Sequence, residues 1–263
     1  MSDGEPARLP RDVVLFFAHP DDEFAVFPWI ERLHQSGGRV CCLWLTDGGG
    51  GGQDPHVRME ESRQVLGNMG VAAEDMQFVG YEWQVPDGEM DQHMARIQAR
   101  LEALAPRFDR FEEVWMPAWE GGHPDHDATH LLAHRFATMI GATPFQFSLY
   151  HGQGLPGPWF RVLAPLASNG PCRTLVTTVR ERWRSVRSCL SYRSQLKSFV
   201  GLLPFYILRL LSSRAFVLQP VDMARTKAPP HAGRLLYERR GGPSWATFAA
   251  RTRSYRAADD PAA

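Results

Sequence analysis

The chain has 263 residues, of which 44% are hydrophobic and 22% charged, a composition typical of a soluble globular protein that buries a sizeable core. Its formal net charge is zero, and no nucleic-acid-binding motif is present, so the sequence does not favour a polyanionic partner. The four cysteines lack zinc-finger spacing and the polar N-terminal residues contain no apolar h-region, which predicts a cytoplasmic protein with reduced thiols and no secretory signal.

Strands that are apolar throughout alternate with helical patterns over the first 150 residues. Strands are predicted at 13–17, 39–45, 76–81, 113–116 and 144–150, and helices at 24–34, 57–69, 93–104 and 125–140. Because such strands are typical of sheets buried on both sides, the alternation predicts an α/β fold with a mostly parallel sheet covered by helices on both faces.

Beyond His151 the pattern loosens and the chain becomes basic. Between Arg173 and Arg240 there are 14 Lys or Arg and only 3 Asp or Glu. The densest part, Arg180–Lys197, is predicted to be helical. It is interpreted as a solvated helix face, or alternatively as a contact with an anionic substrate or a membrane surface.

The most apolar segment of the chain, "SFVGLLPFYILRLL", follows this basic stretch. Its uncharged part, residues 198–208, is too short to span a bilayer. We expect a buried helix that is interrupted at Pro204. The alternative is an interfacial element that touches lipid or the acyl chain of a substrate.

Acidic residues and a histidine follow the first predicted strand. The stretch "AHPDDE" places His19, Asp21 and Asp22 where strand gives way to helix, at the sheet edge where open α/β proteins bind ligands. His19 and Asp22 are three residues apart, which on a tight turn puts both side chains on one side. An imidazole nitrogen and a carboxylate oxygen are a reasonable start for a Zn²⁺ site, beside which Asp21 can stand without binding the metal.

A second cluster follows the fourth predicted strand. "EGGHPDHDATH", residues 120–130, repeats the His-Pro-Asp element and offers His123, His126 and His130 as a third ligand. His126 and His130 are four residues apart, but no Glu follows His126, so the metalloprotease signature is not met. Either cluster alone could be a turn, whereas two of them at strand ends of one sheet predict a metal site.

The pair "AHPDDE" at 18–23 and "GGHPDH" at 121–126 resembles the motifs of PIG-L/LmbE-like N-acetylglucosaminyl deacetylases, and fainter likeness covers most of the chain. The resemblance implies one deacetylase domain over residues 1–263. A Rossmann-like core with the metal site would cover about 12–150, and a C-terminal part over about 151–255 would complete the pocket. It also implies a hydrolase that removes the acetyl group from an N-acetylglucosamine-type sugar in a larger conjugate.

The resemblance further implies the ligands of one Zn²⁺ per chain, or of Fe²⁺ in its place. His19, Asp22 and His126 would hold the metal, and Asp21 would be the general base. Zinc lowers the pKa of bound water from 15.7 to about 7, and three protein ligands leave a position for that water. A carboxylate beside it can take the proton and deliver it to the leaving amine.

Other positions match functional residues of the same family. His123 would be protonated and would stabilise the oxyanion, with Asp125 orienting it. Arg58 and Asp87 match positions that hold sugar hydroxyls in relatives. His130 matches a frequent family histidine, but it is better interpreted as a satisfied helix residue or as a residue that supports the ligands.

Five consecutive glycines, residues 48–52, follow the second predicted strand, where relatives often have Gly-Glu. Because glycine orders poorly, we expect a mobile loop that acts as a lid. No Lys-Ser/Thr follows, so it is not a phosphate-binding loop. Gly121 stands where the mycothiol-pathway branch of the family has tyrosine, which weighs against that branch.

Two further functions stay open. The same pocket could bind an amino sugar without turning it over, or it could hydrolyse another amide, ester or phosphoester bond. Phosphoester sites commonly use two metals, and the sequence offers ligands for one. The substrate is predicted to be a small-molecule conjugate, anionic or lipid-linked, and the protein to be cytoplasmic with or without peripheral membrane contact.

Overall fold

The structure is a computed structural model that describes residues 9–256, and of residues 196–200 the backbone alone. The first eight residues, considered above for a secretory signal, lie outside the described parts. So does the side chain of Lys197, the last residue of the basic stretch. The strands are β1 Asp12–Phe17, β2 Arg39–Trp44, β3 Met76–Gln77, β4 Glu113–Pro117, β5 Thr143–Phe147, β6 Tyr150–His151, β7 Arg161–Val162, β8 Arg173–Val176 and β9 Ala215–Pro220. The α-helices are α1 Phe27–Gln35, α2 Pro55–Gly67, α3 Val79–Glu82, α4 Met90–Leu104, α5 Pro124–Ile140, α6 Val179–Cys189, α7 Leu196–Ser212, α8 Leu236–Arg239, α9 Trp245–Arg251 and α10 Arg253–Arg256.

Seven strands form the central sheet in the order β3-β2-β1-β4-β5-β9-β8. The first five are parallel to one another, whereas β9 is antiparallel to β5 and β8 is antiparallel to β9. Strands β6 and β7 form a separate antiparallel pair. The carboxyl ends of the five parallel strands therefore meet at one edge of the sheet, as predicted, and this is the edge where ligands bind in such folds.

The core consists of two layers, one on each side of the sheet. Val13, Leu15 and Phe17 of β1 pack towards α1, α2, α6 and α7. The alternate residues Val14 and Phe16 pack towards α4, α5 and α9. All five side chains are fully buried, which is why the strand is apolar from Val13 to Phe17. The predicted sheet with helices on both faces is confirmed.

The predicted strand at 76–81 is only two residues long, because the chain turns into α3. The ring of Phe78 stacks on Trp44 at 4.1 Å between centroids, so this apolar residue covers β2 instead of extending the ladder. Gly80 then lies so close to β2 that an added Cβ would be 2.2 Å from the Leu45 carbonyl carbon. The apolar run is therefore a packing surface, and the prediction of a longer strand was wrong.

Helix α7 also differs from the expectation. It continues through Pro204 from Leu196 to Ser212, and it is buried on one side only. Tyr206 and Leu210 are buried, whereas Leu208 and Leu211 are 61% and 72% exposed. The basic helix before it ends earlier than predicted, at Cys189. Within residues 9–256, no helix combines the length and the hydrophobicity needed to cross a bilayer.

A charged contact holds the basic C-terminal part on the core. Glu181 of α6 closes a capping box with Thr178 and accepts a hydrogen bond from Arg32 Nε at 2.7 Å. Burial raises the pKa of Glu181, but the hydrogen bonds from Arg32 and Thr178 outweigh it and lower the pKa to about 2. The ionised carboxylate therefore stabilises the folded state.

We predict that Glu181→Gln destabilises the protein by about 1 kcal/mol at pH 7, a typical value for a lost cap and ion pair. The pKa of Glu181 is lowered on folding, so this contribution is complete above the ordinary value of 4.5 and is lost as the pH falls towards about 2. Urea unfolding at several pH values measures the difference in the free energy of unfolding between Glu181→Gln and the unaltered protein. Glu74→Gln, at an exposed site, is the control, and a difference that does not shrink below pH 4.5 would contradict the argument.

Candidate active site

A cavity of about 420 Å³ opens at the carboxyl ends of the parallel strands. The loop after β1 contributes His19 and Asp21, and the loop after β4 contributes His123. Backbone of Gly50, after β2, and of Gly201, in α7, completes part of the wall. Because β1 and β4 are neighbours in the sheet, the two predicted clusters meet here although they are about a hundred residues apart.

The carboxylate of Asp22 connects the two clusters. Its Oδ2 accepts hydrogen bonds from the backbone N–H groups of Ala18 at 3.0 Å and His19 at 2.9 Å. Its Oδ1 lies 3.1 Å from Nε2 of His126. Burial raises the pKa of Asp22, but the charge and hydrogen bond of His126 outweigh it and hold the pKa well below the ordinary value. Asp22 is therefore an ionised, oriented oxygen donor.

His19 lies among several carboxylates. Its Nε2 is 3.1 Å from Oδ1 of Asp87 and 3.1 Å from Oδ2 of Asp125. Burial lowers the pKa of His19, but the charge of Asp87 and the hydrogen bonds with Asp125 and Asp22 raise it well above 6.5. The acids that stabilise a proton on this ring would equally stabilise another cation at the same point.

The donors fit a divalent metal. One nitrogen from each of His19, His123 and His126 lies within 4.8 Å of the others, and the Asp22 oxygen adjoins His126. Donor atoms on a tetrahedral zinc ion with bonds of about 2.0–2.1 Å are about 3.3 Å apart, so small side-chain shifts would suffice. Two imidazoles and one carboxylate are a common ligand set of catalytic zinc. The set His19, Asp22 and His126 remains a prediction.

Asp21 has a strained backbone beside these donors. Its φ of 134° lies in a region that favours glycine, and its N–H donates to Oε2 of Glu23 at 2.6 Å. Its Oδ2 is 3.2 Å from Nη2 of Arg58. Burial raises the pKa of Asp21 to about 6 although the Arg58 charge lowers it. Strain of this kind collects at functional sites, and here it directs a carboxylate into the cavity.

Glu23, whose role the sequence left open, is fully buried behind this turn. Burial raises the pKa of Glu23 to about 8, with smaller contributions from the charges of Asp21 and Asp22. The carboxyl group is therefore protonated at neutral pH, which explains how three consecutive acids are accommodated. Two of them carry charge, and the third accepts the Asp21 N–H as a neutral group.

The expected partnership of His123 and Asp125 is different in the structure. Nδ1 of His123 accepts the backbone N–H of Asp125 at 3.2 Å and caps α5, whereas the Asp125 carboxylate is 4.0 Å away. That carboxylate accepts N–H groups of Gly88 at 2.6 Å and Met90 at 3.1 Å. Burial and the His19 charge lower the pKa of His123 to about 4. The ring is therefore neutral in this geometry, with its proton on Nε2.

The predicted sugar-binding pair, Arg58 and Asp87, lines the cavity, but both guanidinium nitrogens Nη1 and Nη2 and the Asp87 carboxylate already have partners. Arg58 is buried and donates to the carbonyls of Gly48 at 2.5 Å and Pro20 at 2.7 Å. Asp87 Oδ2 accepts the N–H of Gly50 at 3.2 Å. In the structure both side chains therefore tie the surrounding loops together, and sugar contacts by them stay a prediction.

The glycine run is folded against this pair. Gly50–Gly52 forms a 3₁₀ turn, and an added Cβ at Gly50 would be 2.4 Å from Oδ2 of Asp87. A side chain at this position would therefore have to displace the Asp87 carboxylate. The predicted role of the loop as a lid is not tested by this conformation and stays a prediction.

His130 is a structural residue, in agreement with the preferred interpretation. Its Nδ1 is 2.9 Å from the carbonyl of Pro117, and the side chain is buried and does not line the cavity. Burial lowers the pKa of His130 to about 4. A neutral imidazole here joins α5 to the end of β4.

Glu120 was not predicted to act at the site. Its fully buried carboxylate accepts the N–H groups of Leu149 at 2.7 Å and Tyr150 at 2.8 Å, and the hydroxyl of Ser148 at 2.5 Å. These bonds end strand β5 and place Tyr150 in the cavity wall, with its ring 5.3 Å from that of His126. No sequence pattern indicates this role, because an acid that follows the end of a strand is ordinarily an exposed loop residue.

Phe160 and Arg240 are two further wall residues that the sequence did not reveal. The Arg240 guanidinium lies 4.7 Å from the centroid of Phe160 and 5.9 Å from that of Tyr150. Part of the cavity wall is therefore aromatic and cationic. Stretches far apart in the chain supply it, so no local motif could have indicated it.

Fold and site together define an α/β protein with a histidine–carboxylate cavity at the carboxyl ends of a parallel sheet. Residues 14–137 match the family model described as PIG-L: GlcNAc-PI de-N-acetylase. This part of the chain is therefore similar to the PIG-L family, and the predicted resemblance is confirmed. The matched residues include both motif clusters, whereas Tyr150, Phe160 and Arg240 lie beyond them.

Solved structures show the same fold over most of the chain. The A40926 pseudoaglycone deacetylase Dbv21 is 18% identical, with a TM-score of 0.61, and 82% of this chain and 98% of that one are covered. The zinc-inhibited form of teicoplanin deacetylase Orf2 is 15% identical, with a TM-score of 0.59 and coverage of 80% and 98%. The N,N'-diacetylchitobiose deacetylase from Pyrococcus horikoshii is 16% identical, with a TM-score of 0.58 and coverage of 86% and 90%. A comparison with curated proteins gave no match.

Replacing a proposed ligand should remove the metal. The protein is incubated with zinc and then dialysed. We predict that His126→Ala and Asp22→Asn each reduce the bound zinc from about one ion per chain to a small fraction, because the two remaining ligands hold zinc poorly. Elemental analysis measures the content. His34→Ala, at an exposed position, should retain the metal, and full occupancy in both ligand variants would contradict the assignment.

Arg58→Lys should destabilise the site without removing a charge. An ammonium group cannot reproduce a guanidinium that contacts two carbonyls and two carboxylates, and we expect a loss of about 2 kcal/mol. Urea unfolding measures it. Arg100→Lys, at an exposed position of α4, is the control and should change stability by less than about 0.5 kcal/mol.

Proposed function

We propose that the protein is a metal-dependent hydrolase that removes the N-acetyl group from an N-acetylglucosamine-type sugar within a larger conjugate. The observation that carries the proposal is the meeting, at one side of the cavity, of an oriented set of metal donors and a separate carboxylate, that of Asp21. The match of residues 14–137 to a de-N-acetylase family model supports it. The neighbours described as deacetylases of A40926 pseudoaglycone, teicoplanin and diacetylchitobiose agree with it.

A divalent metal on His19, Asp22 and His126 would supply Lewis-acid polarisation and a nucleophilic water at neutral pH. Asp21 adjoins these donors without being needed as one, so its carboxylate can take the proton of the attacking water. When the C–N bond of the amide breaks, the same carboxyl group can return that proton to the amine, which leaves as the free amino sugar. Burial, which raises the pKa of Asp21 to about 6, suits a group that must both accept and release a proton near neutrality.

His123 can oppose the negative charge that develops on the carbonyl oxygen. The backbone bond at Nδ1 leaves Nε2 as the protonated nitrogen of a neutral ring, and this ring lines the cavity. A preorganised N–H donor does this without being positively charged. The family-implied role of His123 is therefore retained in the proposal, while the protonated state expected from the sequence is replaced by a neutral donor.

The aromatic wall offers a surface for a sugar. Tyr150 and Phe160 line the cavity, and the Arg240 guanidinium lies 4.7 Å from the centroid of Phe160 and 5.9 Å from that of Tyr150. Arg58 and Asp87 would hold sugar hydroxyls, as the family resemblance implies, from the other side of the cavity. A conjugate that is anionic or lipid-linked would extend towards Arg240 and α7.

We infer further that the protein works in the cytoplasm and that the metal is zinc or ferrous iron. Among the described residues all four cysteines are free and three of them are buried, as expected in a reducing compartment. The Orf2 neighbour is described in a zinc-inhibited form, so the assay should compare several divalent metals instead of zinc alone.

Asp21→Asn should lower the rate of amine release about 10²–10⁴-fold without loss of metal. Asn tolerates positive φ nearly as well as Asp, so the variant isolates the carboxylate. The assay measures amine released from N-acetylglucosaminyl lipids, thiol precursors, nucleotide sugars and glycopeptides. Exposed Asp109→Asn is the control. An unchanged rate in Asp21→Asn would refute the base assignment, and sugar binding without amine release under every metal would favour a binding module.

A further inference from the structure

The exposed apolar side chains of the described chain are concentrated in one region. Single exposed apolar residues are ordinary on protein surfaces, but of the nine large apolar side chains that are exposed among the described residues, seven fall between residues 159 and 211. The seven are Trp159, Val176, Val179, Trp183, Leu190, Leu208 and Leu211. Such a concentration indicates an interaction surface.

One side of α7 forms the centre of this region. Gly201, Pro204, Leu208 and Leu211 are all exposed, and their spacing places them along one face of the helix. The opposite face packs into the core through Tyr206 and its neighbours. We call the exposed side, residues 201, 204, 208 and 211, the outer face of α7.

Exposed residues of α6 and β8 flank the C-terminal end of this face. Helix α6 packs on α7, and the Arg182 guanidinium donates to the carbonyl of Leu210. Val176, the last residue of β8, pairs with Ala215 just after α7. Trp183 of α6 is 63% exposed, so this helix adds a large exposed apolar side chain to this region of the chain.

The other end of the face reaches the cavity. Gly201 and Leu202 line the cavity mouth. The ring of Phe205 lies 5.9 Å from that of the exposed Trp159 and 5.0 Å from that of Phe160, and Phe160 lines the cavity as well. Exposed apolar surface therefore continues from α7 to the cavity mouth.

Arginines surround this surface. Arg180, Arg187, Arg193 and Arg214 are exposed, and within residues 9–256 none of them forms an ion pair with a described carboxylate. The nearby acid Glu181 is already paired with Arg32. An apolar face bordered by unpaired arginines is complementary to a surface that is apolar inside and anionic outside.

We propose that the outer face of α7 and its flanking arginines dock on an anionic lipid bilayer. The helix lies in the plane of the interface, with Leu208 and Leu211 at the acyl boundary and the arginines at the level of the phosphates. Docking holds the cavity mouth against the membrane. This interaction needs no catalysis, so it does not depend on the proposed function.

Vesicle co-sedimentation tests the proposal with the full chain. We expect binding to phosphatidylcholine vesicles that contain phosphatidylglycerol, little binding to phosphatidylcholine alone, and weaker binding as salt is raised. Replacing Arg180, Arg187 and Arg214 together with Gln should weaken binding about 100-fold, since each arginine near an anionic surface contributes on the order of a few-fold to tenfold. Leu208→Ser with Leu211→Ser should weaken it at least about tenfold.

Matched variants elsewhere on the surface keep the test specific. One control set replaces Arg100, Arg107 and Arg110 together with Gln and so removes the same charge from another exposed region. The other control set, Val57→Ser with Met139→Ser, removes two exposed apolar side chains. Both sets should bind vesicles like the unaltered protein, and circular dichroism verifies that each variant is folded. Membrane docking would be overturned if the protein did not sediment with anionic vesicles, or if the control sets lost vesicle binding to the same extent. It would also be overturned if the leucine substitutions abolished self-association of the protein.

Discussion

Three carboxylates converge on the imidazole of His19, and the rest of the site depends on how their charges are balanced. Asp22, Asp87 and Asp125 are each within 3.6 Å of this ring, at a depth where unpaired charge is costly. Backbone N–H groups and the buried Arg58 offset part of the repulsion. The proposed cation, bound among these groups, would complete the balance.

Much of the fold could be predicted, because a parallel sheet buried on both faces is apolar in every strand and this pattern is local. The meeting of His19 with His126 could be predicted too, since each follows a strand and parallel strands end at one edge. The neutral state of His123, with its proton on Nε2, could not be predicted. It depends on the backbone N–H of Asp125 and on burial, and neither is visible in a motif. Phe78 was misassigned because an apolar residue that stacks on a strand looks like part of one.

The residues missed at the site share a physical reason. Glu120, Phe160 and Arg240 act through partners 28 to 80 residues away in the chain, so no periodicity or spacing marks them. Asp21, in contrast, could be predicted as the residue beside the donors, but its strained backbone could not. That conformation exists because Glu23 accepts its N–H inside a densely packed turn. Motifs therefore reveal which residues take part, while three-dimensional packing decides their protonation and direction.

Helix α7 separates two environments, because one end lines the cavity and the opposite side faces outward. Any ligand in the cavity that favours one position of Gly201 and Leu202 also favours one position of the outer face. By thermodynamic reciprocity, an occupant of that face that favours the same position would change the affinity of the cavity by the same factor. A single helix would then link occupancy of the surface to affinity of the cavity.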